Sequence, residues 1–126
     1  MEDRIEEAYC RDVISLPLVI KGHVVRKRSW IGDQYVDLDV DLVKNGSIHR
    51  FLVVVKRVDV EPSDRPEFVA EVNALKNKFK LPVYLAVVNE NLKMLWLSEY
   101  LRKSMAFPDD EYSVIRQAGL DEGPSI

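Results

Sequence analysis

The stretch from Tyr35 to Val58, YVDLDVDLVKNGSIHRFLVVVKRV, leaves the chain few ways to fold. Asn45-Gly46 supplies the two positive-φ residues that a two-residue type I′ turn requires, and apolar residues alternate or run on both sides of it. With those two residues as the loop, the register follows. Lys44 faces Ser47, Asp41 faces Arg50, Asp39 faces Leu52 and Asp37 faces Val54.

Side chains alternate faces along a strand, so the hairpin sorts into two surfaces. Val36, Leu38, Val40 and Leu42 share one with Phe51, Val53 and Val55, a face apolar enough to be core. The other carries Tyr35, Asp37, Asp39 and Asp41 with Arg50, Leu52, Val54 and Lys56. On this second face Lys56 is a diagonal neighbour of Asp37, within reach of a long side chain. An acid and a lysine meet there on a strand pair that is otherwise largely apolar, and this is where the sequence points to chemistry.

A length of 126 residues suits one domain with one core, and 47% hydrophobic with 31% charged residues excludes a disordered or fibrous chain. No apolar run approaches the ~20 residues of a membrane span, and the acidic MEDRIEEAY does not read as a secretory signal. A cytoplasmic location, with no membrane partner and no small-molecule cofactor, is the expectation. The lone Cys10 reads as a small buried hydrophobe of the first helix. Of the net charge of −3, the tail beyond Lys103 holds −4, which leaves residues 1–103 at +1. Any nucleic-acid surface is therefore local. Domain organisation reads as one domain over 1–103 and an acidic tail over 104–126 that adds at most a helical turn near Asp110 to Gln117.

In order, residues 2 to about 14 read as a helix ended by Pro17, and Leu18 to Val25 as a first strand running into the basic Arg26-Lys27-Arg28. Trp30 to Gln34 reads as a loop around Gly32-Asp33, before the hairpin. Ser63 or Asp64 caps a helix that has Pro66 in its first turn and Phe68, Val72, Leu75 and Phe79 as its buried stripe. Leu81 to Val88 reads as a strand covered on both faces. Asn89 to Asn91 turns into a strand over Lys93 to Leu97, with a short helix from Ser98. The helix between the third and fourth strands is a crossover, so that pair is parallel in a mixed sheet flanked by helices.

This α/β order of helix, three strands, helix and strand resembles the core of the PD-(D/E)XK nuclease superfamily, with its restriction-endonuclease-like fold. Within it the chain is similar to the Mrr-like restriction endonucleases and the archaeal Holliday-junction resolvases. Gly32-Asp33, Val36-Asp37-Leu38 and Val53-Val54-Val55-Lys56-Arg57 carry the likeness. The resemblance implies Asp37 as the metal-binding aspartate and Lys56 as the catalytic lysine of a Mg²⁺-dependent DNA endonuclease. The chain departs from the pattern two residues before the lysine, where the family's acid or amide is Val54. Mg²⁺ takes hard oxygen ligands, so a second carboxylate is wanted. Some members carry it on the following helix, where Glu67 and Glu71 lie one turn apart; Asp39, Glu6 and Glu7 are further candidates.

The resulting assignments are Asp37, Lys56 and Glu71 as catalytic residues and Asp37, Glu67 and Glu71 as metal ligands. Arg26, Lys27, Arg28 and Trp30, with Arg57, are candidates to grip phosphates and stack a base. Strand alternation sends Arg26 and Arg28 one way and Lys27 the other, so a solvated strand end is the competing reading of that run. Asp41 opposite Arg50 reads as a cross-strand charge pair and Asp39 as a solvated rim residue. His23 and His49 have no metal-spaced partner and receive no role. The functional expectation is phosphodiester hydrolysis of DNA; the alternative is an inactive nuclease-fold domain that binds nucleic acid or protein, as a homodimer.

Overall fold

The computed structural model describes residues 2–57, 66–88, 95–106 and 112–115, with side chains for 10–56, 66–88, 100, 101 and 103–106. Helix α1 (Glu2–Ile20) precedes strands β1 (Val24–Ile31), β2 (Gln34–Lys44) and β3 (Ser47–Arg57). Helix α2 (Pro66–Phe79), strands β4 (Val83–Val88) and β5 (Leu95–Ser98), helix α3 (Glu99–Lys103) and strand β6 (Tyr112–Ile115) follow. The strands form one mixed sheet in the order β1-β2-β3-β4-β5-β6. β3 runs parallel to β4 across the α2 crossover, and β5 parallel to β6; the other neighbours are antiparallel.

The Asn45-Gly46 turn forms as the sequence requires, with φ of 51° and 80°. It sets Lys44 against Ser47, Asp41 against Arg50 and Asp39 against Leu52. The loop expected over Trp30 to Gln34 is tighter: Trp30 and Ile31 finish β1, Gln34 opens β2, and only Gly32-Asp33 lie between. A positive φ at Gly32 alone, 64°, fits a type II′ turn.

Pro17 does not end the first helix, and Leu18 to Val25 is not a strand. α1 continues through Pro17 because Ile14 and Leu18 are completely buried against the sheet. Burial of each contributes roughly 1.5–3 kcal/mol, enough to offset the ~3 kcal/mol that a proline costs inside a helix. The helix stops instead at Gly22, φ 103°, where Gly22 N–H bonds Val19 O and His23 N–H bonds Leu18 O, a Schellman closure.

α1 and α3 cover one face of the sheet, with Ile14, Leu18, Leu38, Val40, Phe51, Val53, Tyr84 and Leu101 in the core between them. α2 covers the other through Phe68, Val72 and Leu75, against Leu52, Val54, Val83, Leu85 and Val87. The expected stripe holds, with Phe79 only partly buried, and all six residues of β4 are buried, as a strand covered on both faces demands. The helical turn expected near Asp110 to Gln117 is corrected: Tyr112–Ile115 is a strand paired with β5, so the sheet extends into the 104–126 segment. Its tetrapeptide YSVI carries two β-branched residues, which suit a pleated edge. The caps at Ser63 or Asp64 and the turn at Asn89 to Asn91 lie outside the described residues. No helix among the described residues is long and apolar enough to cross a membrane.

Asp39 is not a rim residue. Its side chain is 3% exposed and accepts four hydrogen bonds, from Arg26 Nε and Nη2 and from Arg50 Nε and Nη2, at 2.8–3.2 Å. Asp41 takes two more from Arg26, both 3.0 Å, so Arg26 rather than the directly opposite Arg50 is its partner. Burial pushes the Asp39 carboxyl upward, but the guanidinium bonds from Arg50 and Arg26 outweigh it and hold the carboxyl below its ordinary range. His23, left without a role by the sequence, is buried and bridges two segments. Its Nε2 lies 3.1 Å from Ser104 O, and its Nδ1 accepts the Val43 N–H at 3.3 Å. Burial, opposed by the Ser104 carbonyl and reinforced by Lys21, pulls its pKa down.

Two outcomes follow for stability. Asp39→Ala should cost about 1–3 kcal/mol in urea unfolding, and Arg50→Ala less, because Arg26 still holds the carboxylate; the wild type should lose the Asp39 contribution as pH falls below about 3.8. The folded chain resists protonating His23 while the unfolded chain does not, so stability should also decline as pH falls below about 6.5. His23→Phe should lack that decline.

Candidate functional site

The pairing of β2 with β3 ends at Leu38↔Val53, and Asp37 lies just past that point. On its other side the pairing with β1 runs Lys27↔Leu38, then Ser29↔Val36, and passes over Arg28 and Asp37. Arg28 sits there with a left-handed φ of 51°. The alternation breaks at the same place. Val36 packs into the α2-side core although Leu38, Val40 and Leu42 pack on the α1 side, so the expected single face of all four is corrected at Val36. The gap left between β2 and β3 is where the Asp37 carboxylate goes: its Oδ2 accepts the Val55 N–H at 3.0 Å, replacing a backbone acceptor.

A cleft of about 310 Å³ opens at this gap. β2 contributes Tyr35, Val36 and Asp37, β3 contributes Val54, Val55 and Lys56, and the two helices supply Cys10 and Arg11 from α1 and Glu71 and Leu75 from α2. Arg11, 6% exposed, places Nη1 3.7 Å from Asp37 Oδ1. Lys56 Nζ lies 2.7 Å from Glu71 Oε2 and 5.7 Å from the centre of the Phe68 ring. Glu71 is 44% exposed and Lys56 30%, so this pair stands at the mouth while Asp37, at 19%, lies deeper.

Burial raises the Asp37 pKa. The Val55 N–H, Arg11 and Lys56 oppose the shift, and the like charge of Glu71 adds to it. An ionised carboxylate that costs the fold more than it costs the unfolded chain is a candidate for function, because such a cost has no return in stability.

The structure brings Asp37, Lys56 and Glu71 to one cleft. Glu67 is exposed, one turn from Glu71, and is not among the cleft residues. Val54, at the position of the missing acid, is buried against α2 and serves the core. Asp39 is committed to Arg26 and Arg50, and Glu6 and Glu7 lie outside the described side chains. Among the basic candidates, Arg26 is held by Asp39 and Asp41, and Lys27 by Asp12 at 2.8 Å; neither is a free phosphate contact. Arg28 and Trp30 are exposed, and the side chain of Arg57 lies outside the described set. Among the described residues, no group of three or more His, Cys, Asp or Glu is placed to hold a cation.

Sequence reasoning missed Arg11. A signal was available: Arg11 shares the helical stripe of Ile14 and Leu18, where an arginine on a buried face needs an acid to meet. Comparison of the chain with protein-family models, with curated proteins and with solved structures gives no match.

Asp37→Asn should stabilise the protein. The raised pKa already includes the attraction of Arg11, and Asn keeps an oxygen for the Val55 N–H. Because the folded state holds the Asp37 proton to higher pH than the unfolded chain, wild-type stability should fall as pH rises above about 3.8 toward the raised folded value. The variant should lack this fall, and at pH 7 thermal unfolding should show a higher Tm for it than for the wild type.

Proposed function

We propose that the chain is a restriction-endonuclease-like domain that hydrolyses phosphodiester bonds in nucleic acid. The observation that carries this reading is the convergence of two carboxylates and two cations from four separate elements on one cleft. Asp37 comes from β2, Glu71 from α2, Lys56 from β3 and Arg11 from α1. Glu71 stands in for the acid that Val54 replaces, because α2 delivers it to Lys56 at 2.7 Å.

Asp37 and Glu71, which line one cleft, would be the hard oxygen donors to a single Mg²⁺, an ion commonly held by one or two carboxylates with water completing its shell. Bound there, such an ion lowers the pKa of a coordinated water and neutralises phosphate charge. The chain's own groups do the rest. Val55 N–H and Arg11 orient the Asp37 carboxylate and keep it from turning to solvent. Lys56, which stands beside Glu71 at the mouth of the cleft, would offer its ammonium to charge developing on the phosphate. The domain as a DNA-binding module without catalysis is the second reading. The close Lys56–Glu71 pair favours it, since the lysine and the second acid neutralise each other.

Supercoiled plasmid incubated with the protein and Mg²⁺ or Mn²⁺ should be nicked and linearised, and EDTA should stop the reaction. Lys56→Ala and Glu71→Gln should each lower the rate by about 10²–10³. An unchanged rate in Lys56→Ala would assign the cutting to a contaminant. Binding without cutting would establish the second reading, and absence of both would remove nucleic acid from the account.

A further inference from the structure

We infer that Trp30 and Tyr35 form a ledge on which an unpaired base of a single-stranded nucleic acid stacks, beside the cleft that receives its phosphate. The phosphate end rests on the reading proposed above; the ledge itself rests on independent observations. Trp30 is 68% exposed, the highest value among the large exposed hydrophobics described. It pairs with Tyr35 across β1 and β2, with ring centroids 5.7 Å apart at 66°. Tyr35 in turn lines the cleft. Ile31 packs on the α2 side, so alternation turns Trp30 to the opposite face, where it remains exposed. Tyr35 and Asp37 are two residues apart, about 7 Å along a strand, which is within the span of one nucleotide.

Arg28 supplies the second observation. Its left-handed φ of 51° is strained for a non-glycine residue, and such strain concentrates at functional sites. Arg28 is exposed, two residues before Trp30, at the point both ladders of β2 leave unpaired.

Charge then chooses between single strand and duplex. Arg26 and Lys27 are occupied by Asp39, Asp41 and Asp12, so of the run Arg26 to Arg28 only Arg28 is left to meet a phosphate, fewer basic contacts among the described residues than a duplex backbone calls for. Stacking supplies about 1–3 kcal/mol per base and needs a base whose face is open. Duplex bases have no open face except at ends.

The test is fluorescence anisotropy of labelled ten-nucleotide dT, its rU counterpart and a ten-base-pair duplex, in EDTA so that nothing is cut. The wild type should bind the single strands more tightly than the duplex, and Trp30→Ala should weaken single-strand binding by about 5- to 150-fold. Trp30→Phe should restore most of it, and far-ultraviolet circular dichroism should show all three proteins folded. Loss in the dT arm, the rU arm or both would support the ledge and identify the sugar it accepts. Equal affinity of wild type and Trp30→Ala, a preference for duplex, or no binding would overturn it. Plasmid cutting with Trp30-independent binding would leave the hydrolase reading standing without the ledge. Trp30-dependent binding without cutting would do the reverse.

Discussion

The pairing of β2 with β3 fixes everything else in this domain, and the place where it stops matters as much as the place where it starts. Two left-handed residues at Asn45 and Gly46 lock the register. Eight positions back from Asn45, beyond Leu38↔Val53, the ladder gives out and a carboxylate takes the amide that no carbonyl meets. A paired strand buries its backbone polar groups at no cost. An interrupted one must satisfy them otherwise, and Asp37 does so for Val55.

The two acidic positions Asp37 and Asp39 show how environment divides one residue type into two roles. Both are shielded from water. Asp39 meets two guanidiniums in bidentate geometry, so its charge is fully compensated and its pKa falls. Asp37 meets one backbone N–H and an arginine at 3.7 Å, and its pKa rises. The first acid ties β1, β2 and β3 together through Arg26 and Arg50. The second stores unfavourable energy beside a cleft, where a cation or a proton can release it.

That contrast also accounts for the fate of the basic run Arg26-Lys27-Arg28. Guanidinium and ammonium groups seek the nearest compensating carboxylate, and the fold presents Asp39, Asp41 and Asp12 before any ligand arrives. What remains turned to solvent at that end of β1 is the strained Arg28 and the indole of Trp30.

The local signals in the sequence carried far. The Asn45-Gly46 turn, the hairpin register from Lys44 back to Leu38 though not the expected Asp37–Val54 pair, the stripe Phe68, Val72 and Leu75, and the doubly covered strand up to Val88 are set by backbone preference and side-chain period, which act within a few residues. That Asp37 and Lys56 are neighbours was legible from strand alternation; Glu71 entered only through the family resemblance, beside Glu67, and helical spacing by itself left both on the exposed side of α2. Only the tertiary structure decided that α1 runs past Pro17, that Val36 changes face, that Arg11 lies opposite Asp37, and that Arg26 belongs to Asp39 and Asp41. Those outcomes turn on burial and on competition among partners distant in the chain. A local pattern states which groups are present; desolvation and the nearest opposite charge decide what each one does.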